Sequence, residues 1–500
     1  MKKNLLLNVF CLFCLTNFAQ QVEWAFNVSE NPASNKLTVD PASNLYLYGC
    51  TESYRPGPQD GSIFKKYSPS GELLVDKAWH EKVFISSMIH DGAGSFYFCG
   101  YFRGQVNSDG ISLNSKGGTD GFFGKMSDEG EVEWTIGFGG AKNDVARDLT
   151  FNQDSTEIVI TGDVDSTVYL YGYEIVTTTA AIFVAKFSLE GGLSSYRTFV
   201  FSPGEYGYNQ GWEIEKDGLG GYYLLANRKG EHWNNYPPSG ETLEGRYIFK
   251  LSENLEIKWS EYIISSACYY GFSCANISVQ KGEVCVPSFC SAKYGGTGKL
   301  RKLEPLNGTG TWNIDNADGT YYDTYAAGAR LLYVGNEEGN GCPCEDHNVG
   351  YARVKMLDEL NTDRILLSKY GFAFLNVVQA PNGNIYVYGR AGSEDPHLQG
   401  HYLERGHFLF SMQEPPSSVE LAMPTEELLS VYPNPSSGYL EITHDKTIEE
   451  LVVTTANGTV VRQFSPRGNA ATVRDLAQGY YIVHVKDAQG YSRGKVLVAE

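Results

Sequence analysis

Apolar and polar positions alternate along this chain in short runs, each closed by glycine or another small residue. Such runs are Leu45-Tyr-Leu-Tyr-Gly49, Phe96-Tyr-Phe-Cys-Gly100, Ile158-Val-Ile-Thr-Gly162, Tyr222-Tyr-Leu-Leu-Ala226, Glu283-Val-Cys-Val-Pro287, Leu331-Leu-Tyr-Val-Gly335 and Ile385-Tyr-Val-Tyr-Gly389. A period of two bounded by turn residues predicts a β-strand. The seven copies start 48 to 64 residues apart. Each is followed by a second run that carries a lysine, at Lys66, Lys125, Lys186, Lys250, Lys302 and Lys355, with Phe410 taking that place in the seventh copy. Beyond the lysine comes Gly71, Gly130, Gly191 or Asn307, as a hairpin turn with positive φ requires. A tryptophan strand follows, with Trp79, Trp134, Trp259 and Trp312. A further apolar segment, such as 83–89, 145–151 or 373–378, leads into each glycine strand.

Four short strands recurring at roughly 50 residues are the pattern of a propeller blade. The seventh unit has no tryptophan strand of its own, because the chain after Met412 runs into Gln413-Glu-Pro-Pro416. Near the start, however, Val22-Glu-Trp24-Ala-Phe26 matches Val132-Glu-Trp134-Thr-Ile136. An open ring would leave unpaired sheet edges. The expectation is therefore an all-β chain: a seven-bladed β-propeller over residues 21–412, closed by the N-terminal strand. Six or eight blades stay open because the fifth unit is irregular. Residues 413–427, with Pro415-Pro416, read as a linker. Alternation then resumes at 440–443, 450–455, 460–464, 480–486 and 495–498, with turns at Asn457-Gly458 and Gln489-Gly490. Closely spaced strands of this length predict a small β-sandwich over 428–500.

Lys2 and Lys3, the apolar run from Leu5 to Phe18 and the small and polar Ala19-Gln20-Gln21 form a signal peptide over residues 1–20. The run is too short to span a bilayer, and no later stretch reads as a transmembrane segment. Cys14 as a lipid-attachment site is the weaker alternative, because bulky Phe13 precedes it. Formal net charge is −19, and loss of the two leader lysines makes it about −21. That sign argues against nucleic acid or anionic lipid as a partner. Of ten cysteines, Cys11 and Cys14 leave with the leader. Cys50, Cys99, Cys268, Cys274, Cys285, Cys290, Cys342 and Cys344 remain, an even set that suggests disulfide bonds in an exported chain. A metal site from Cys342, Cys344, Asp346 and His347 is the alternative, against which the cysteine spacing speaks.

The unit that contains Asp120-Gly-Phe-Phe-Gly-Lys125, Gly139-Gly140 and Asp144 to Asp148 resembles the β-propeller repeats of secreted bacterial proteins, and other units between 22 and 412 do so more loosely. The tail carries Val431-Tyr432-Pro433-Asn434-Pro435 with Gly438, then Asn457-Gly458, and Leu476 with Gly479-Tyr480-Tyr481. In that order these motifs resemble the type A C-terminal sorting domain of type IX secretion substrates. The resemblance implies an Ig-like sandwich, the type IX secretion machinery as partner, and passage through the outer membrane of a Bacteroidetes-type bacterium to the medium or cell surface. Such domains often end in a basic residue, whereas this sequence closes on Val498-Ala-Glu500, which leaves cleavage and anchoring open.

The connections between glycine and lysine strands are long (50–61, 101–120, 163–180, 227–245, 288–297, 336–350 and 390–405), while the opposite turns, such as 68–72, are short. Connections of that kind gather binding residues on one face. Candidate ligand residues there are Arg55, Arg103, Arg228, Trp233 and Arg390; arginine beside aromatics suits sugars, peptides or carboxylates. The competing reading is that these aromatics pack the loops together. No serine-nucleophile elbow or zinc helix is present, so no catalytic residue, metal or cofactor is assigned. Ser127-Asp-Glu-Gly130 is an ordinary hairpin turn, its spacing wrong for the Asp-box of sialidases. His397, His401 and His407 with Glu394, Asp395 and Glu404 read as a solvated loop rather than a metal site, and Asp315, Asp318 and Asp323 miss the spacing of a calcium loop. The expected function is noncatalytic binding of a glycan or protein. The alternatives are a propeller-type hydrolase acting on polysaccharide and an architectural envelope component.

Overall fold

The computed structural model describes residues 22–28, 34–50, 61–80, 82–165, 167–170, 172–177, 179–201, 208–229, 245–265, 277–280, 282–292, 295–308, 310–316, 319–327, 330–337, 351–357, 363–370, 372–391, 397–399, 401–413, 430–432, 439–444, 447–455, 460–466, 468–487 and 490–498. Among them every regular element is a strand. The chain divides into two compact units, Met1–Pro415 and Pro416–Glu500. Residues 1–20, expected to be a signal peptide, and the segment 414–429 lie outside the described residues.

Among the described residues the first unit contains seven antiparallel sheets whose order is leading strand, glycine strand, lysine strand, tryptophan strand, besides a two-stranded pairing of His397–Leu398 with His401–Tyr402. Sheet I is Ser34–Val39, Leu45–Cys50, Gly61–Tyr67 and Leu73–His80. Sheet II is Val83–His90, Ser95–Ser108, Ile111–Ser127 and Val132–Gly140. Sheet III is Val145–Phe151, Glu157–Val164, Ala181–Ser188 and Leu193–Phe199. Sheet IV is Tyr208–Lys216, Tyr222–Lys229, Gly245–Leu251 and Ile257–Ser265. Sheet V is Ser278–Gln280, Glu283–Ala292, Gly295–Leu303 and Gly310–Asn316. Sheet VI is Gly319–Ala327, Arg330–Glu337, Tyr351–Leu357 and Asp363–Tyr370. Sheet VII is Phe372–Gln379, Asn384–Ala391 and Gly406–Gln413, and its outer strand is Val22–Asn27 from the other end of the chain. Trp24 pairs with Ser411 and Phe26 with Leu409, so the strand expected to complete the last sheet does so. Leading strands pack on one another from each sheet to the next, and that of sheet VII packs on that of sheet I.

The repeat residues have distinct mechanical tasks. Glycine and lysine strands are buried between neighbouring sheets, and Tyr46, Phe64, Phe96, Tyr223, Tyr333 and Tyr386 are almost wholly inaccessible. The repeat lysines lie in the same layer and are neutralised locally. Lys66 Nζ bonds Asp128 and Glu129 in the turn of sheet II and lies over the Tyr46 ring. Lys250 bonds Asp217 and sits 4.4 Å from the centroid of Tyr223. A buried ammonium is tolerated because carboxylate and ring face compensate its lost hydration. Trp134 and Trp259 reach the turn of the following sheet: the Trp134 ring would lie 3.2 Å from a Cβ at Gly191, Trp259 Nε1 donates to Pro305 O at 2.9 Å, and its ring would touch a Cβ at Gly308. Trp79 instead pairs with Ser62, away from the lysine register.

Four expectations need correction. In sheet VII the residue that pairs at the lysine register is Ser411, opposite Tyr386 as Lys66 is opposite Tyr46, and not Phe410. Ser411 is fully buried; with no ammonium there, Glu23 from the joining strand approaches its hydroxyl instead. The disulfide framework does not hold for three of its eight members. Cys50, Cys99 and Cys285 are buried thiols, Cys50 Sγ donates to Ile85 O at 3.2 Å, and burial raises the proton affinity of Cys99 and pushes that of Cys285 up to about 12. They lie inside the glycine strands, where they pack as small apolar residues. Cys268, Cys274, Cys342 and Cys344 lie outside the described residues, as does the side chain of Cys290. The third correction concerns the connections over 101–120 and 163–180, which are largely strand. Sheet II extends as a hairpin that turns at Asp109-Gly110, both at positive φ. Thr167–Leu170 and Tyr173–Val176 form a second hairpin that pairs onto Val132–Gly140 and widens sheet II to six strands. The fourth is that two strands of the tail escaped its alternation pattern.

The second unit pairs Ser430–Tyr432, Leu440–Thr443 and Ala470–Val473 in one sheet, and Val460–Phe464, Glu450–Thr455, Gly479–Asp487 and Gly490–Val498 in another. Leu440, Ile442 and Val473 of the first share a core with Leu451, Val453, Val483 and Val485 of the second. Ser430–Tyr432 and Ala470–Val473 are the two strands that the pattern missed; the first is only three residues long, and the second, Ala-Ala-Thr-Val, has no large apolar residue before Val473 to mark an alternation.

Candidate functional site

Antiparallel order puts the turns from leading to glycine strand and from lysine to tryptophan strand at one end of each sheet, and the long glycine-to-lysine connections at the other. At the short-turn end, polar side chains close their own turns. Asp40 accepts from Asn44 N and the Tyr46 hydroxyl, Asp91 from Ala93 N and Ser95 N, and Asp217 from Leu219 N and Gly221 N. A cavity of about 630 Å³ opens there between Asp40, His90, Tyr325, Arg330 and Gln379. On its wall His90 Nδ1 accepts from Gly92 N, while His90 Nε2 is buried without a hydrogen-bond partner among the described residues.

The long-connection end is built differently. Five leading strands carry a β-bulge at the same register, and the extra residues are Ser86, Arg147, Trp212, Tyr322 and Leu375. A bulge takes a side chain out of the strand's alternation and re-aims it. Trp212 thereby meets two guanidinium groups, Arg147 at 4.7 Å and Arg246 at 5.4 Å from its ring centroid. Arg147 Nε donates to Asp163 Oδ1, and Arg246 Nε to Asn227 Oδ1 at 3.1 Å. Burial raises the proton affinity of Asp163 against the opposing pull of Arg147. Arg103 Nε donates to Thr119 Oγ1 at 3.2 Å, and its guanidinium lies over Phe84, itself stacked on Tyr101 at 4.8 Å.

One residue below three of the five bulges, acidic side chains fasten sheets together. Ile214 N donates to Asp148 Oδ2, Ile277 N to both oxygens of Glu213, and Val377 N to Asp323 Oδ2, each at 2.9 Å. Lys36 of sheet I reaches Asp148 of sheet III at 3.6 Å. Burial alone would make Lys36 easier to deprotonate, but Asp148, Tyr48 and Glu213 reverse this and keep it charged. Burial first and Asp148 second raise the proton affinity of Glu213 well above normal and push Glu215 up to about 7. Burial likewise lifts Asp144 to about 7, although Gly140 N and Asp165 N donate to it.

Of the residues expected to bind ligand, Arg103 sits at this end as described. Arg390 does too, opposite His407 in sheet VII; burial and then Arg390 lower the His407 pKa to about 4. Arg228 pairs by backbone with Asn209 and Gly245. Arg55 and Trp233 lie outside the described residues, as do Pro433, Asn434, Pro435 and Gly438 of the sorting motif; Tyr432, Gly479 and Tyr480 are placed as strand residues. The histidines of 397–407 have separate surroundings: His397 faces Tyr402, and His401 Nε2 lies 3.4 Å from Val22 O. No group of three or more His, Cys, Asp or Glu among the described residues is placed to hold a metal. Arg147, Trp212 and Arg246 were not legible as candidates. Arg246 carries no signal in the sequence; that of Arg147 and Trp212 is the triplets Ala146-Arg147-Asp148 and Gly211-Trp212-Glu213, repeated at Tyr321-Tyr322-Asp323, where an acid follows a bulky residue inside an otherwise apolar segment.

Residues 430–499 match the model of the secretion system C-terminal sorting domain. The chain carries a type IX secretion sorting domain. Its export by that route, to the cell surface or beyond, follows from this tail. No curated protein matched the sequence. Among solved structures, the β-propeller domain of the Trilobed protease from Pyrococcus furiosus is similar at 10% identity and a TM-score of 0.41, covering 76% of this chain and 95% of that one. PorZ of Porphyromonas gingivalis, a bacterial surface component of the type IX secretion system, aligns at 10% identity and a TM-score of 0.24, covering 93% and 70%. A luciferin-regenerating enzyme aligns at 10% identity and 0.33, covering 78% and 96%. Likenesses this distant carry no argument about the function of the sorted protein.

Proposed function

We propose that this type IX cargo is a noncatalytic binding protein of the cell surface or medium, which holds a glycan or protein ligand at the long-connection end of a seven-bladed β-propeller. In this reading residues 1–20 are the leader, 21–412 the propeller, 413–427 a linker and 428–500 an Ig-like sorting sandwich. Support for the ring comes from the N-terminal strand in sheet VII, the packing of its leading strand on that of sheet I, and Lys36 reaching across to Asp148.

The observation that carries the binding reading is the contrast between the two ends. At the short-turn end Asp40, Asp91 and Asp217 are spent on their own turns, whereas the long-connection end gathers arginines against aromatic faces at Arg103–Phe84 and around Trp212. Guanidinium groups beside rings suit sugars and carboxylates better than they suit bond cleavage. The carboxylates with raised proton affinity support a noncatalytic role where they accept backbone N–H groups, as Asp144 and Glu213 do. A glycan array and a pull-down with the mature protein test the proposal. Retained ligand that is lost on Arg103→Ala or Arg390→Ala is the expected result; no ligand, or variants that behave like the parent, would refute it.

A further inference from the structure

Arg147 is the extra residue of the bulge between Ala146 and Asp148. Its Nε is bonded to Asp163, its guanidinium carbon lies over the Trp212 ring at 4.7 Å from the centroid, and its side chain keeps 21% of its surface exposed. The two Nη nitrogens have no hydrogen-bond partner among the described residues. A guanidinium held by one edge and steadied by a ring face offers its remaining edge as a two-pronged donor. That edge matches the two oxygens of a carboxylate, and little side-chain entropy is left to lose on binding.

We propose that Arg147 anchors the carboxylate of an acidic glycan, a chain of uronate residues. The proposal rests on the binding reading above and names its ligand class. The connection that follows Asp163 supplies the evidence for a sugar. Its hairpin exposes the rings of Tyr169 and Tyr173, which are 42% and 57% accessible, and Lys116 Nζ stands 4.4 Å from the Tyr169 centroid. An exposed ring gives a pyranose a flat apolar face, and an ammonium beside it meets a further carboxylate. A uronate chain repeats ring and acid together along one backbone. An acidic peptide carries its acids on flexible arms and has no use for the ring beside each cation.

The test titrates the mature protein with a short uronate oligosaccharide, a neutral oligosaccharide of equal length and a poly-glutamate peptide. Binding of the uronate alone is expected. Arg147→Gln and Arg147→Lys should weaken it roughly tenfold or more, the second because it keeps charge but loses the fork. Asp163→Asn removes the internal competitor and should tighten binding several-fold, a gain that misfolding would not produce. Lys258→Ala, at an exposed lysine on the outer strand of sheet IV, should change uronate affinity little. If uronate binds but responds to Arg103→Ala and Arg390→Ala and not to either Arg147 variant, the anchor is wrong and the long-connection reading stands. If only the peptide binds, the glycan class is wrong. If none of the three binds, the uronate proposal fails, and the array decides the broader reading on its own.

Discussion

The indole of Trp24 stands over Gly71: a Cβ built on that glycine would lie 2.9 Å from the ring, and Trp24 Nε1 donates to Pro69 O at 3.1 Å in the same turn. Trp24 comes from sheet VII and Gly71 from sheet I. The same contact joins Trp259 of sheet IV to Gly308 and Pro305 of sheet V. The N-terminal strand therefore does more than pair with its sheet; it repeats the contact by which one sheet clasps the next. Gly71 has φ +86, so Gly71→Ala meets both backbone strain and the indole and should cost about 2 kcal/mol. Gly218→Ala has φ +74 and open space around it, and should cost only about 1 kcal/mol. Urea midpoints compare the two. Hydrogen exchange should show Gly71→Ala releasing the amides of 22–28 selectively, and equal effects would mean that the clasp adds nothing.

Removing residues 428–500 separates address from fold. The truncated protein should accumulate in the periplasm, because the sorting domain that matches 430–499 is gone. The seven sheets should keep their stability, since Met1–Pro415 is a compact unit with its own cores. Cell fractionation and thermal melting of the truncated chain read the two outcomes independently. Surface delivery without the tail would contradict the first.

Short apolar runs closed by turn residues made the glycine strands legible, because strands buried on both faces are apolar at successive positions. The matching tryptophan motif gave away the pairing of Val22–Asn27 with Gly406–Gln413 across the whole unit. Bulges were not legible. An extra residue shifts the alternation by one, so Arg147 and Trp212 look like breaks in an apolar run rather than re-aimed side chains. The cysteines misled for a different reason. An even count implies pairing only if the residues are free to meet, and Cys99 and Cys285 are sealed inside separate sheets.

Lys250 and Asp217 test how the repeat lysines are tolerated. Both are buried, and they are bonded to each other. Burial pulls the proton affinity of Lys250 down in spite of Asp217. Asp217→Ala leaves a buried ammonium without its carboxylate and should cost about 3 kcal/mol or more. Lys250→Met with Asp217→Asn removes both charges, keeps an apolar stem over Tyr223, and should cost clearly less than Lys250→Met alone and Asp217→Asn alone added together. A double-mutant cycle from urea unfolding measures the difference. Additive costs would show that the pair is not coupled.

Glu215 should make stability fall as pH rises. Its folded-state pKa of about 7 lies above the ordinary value of 4.5, chiefly through burial and then through Asp148. Between those values the folded chain holds a proton that the unfolded chain has lost, so climbing through the window favours unfolding. Below about pH 4.5 both states are protonated and the group contributes no slope. Glu215→Gln imitates the protonated form at every pH. It should match the parent at pH 4.5 and exceed its stability by about 1 kcal/mol at pH 8, a figure reduced for partial solvent contact. Urea midpoints of parent and variant at the two pH values give the answer. A variant advantage that is the same at both would place the cause in packing rather than in the proton.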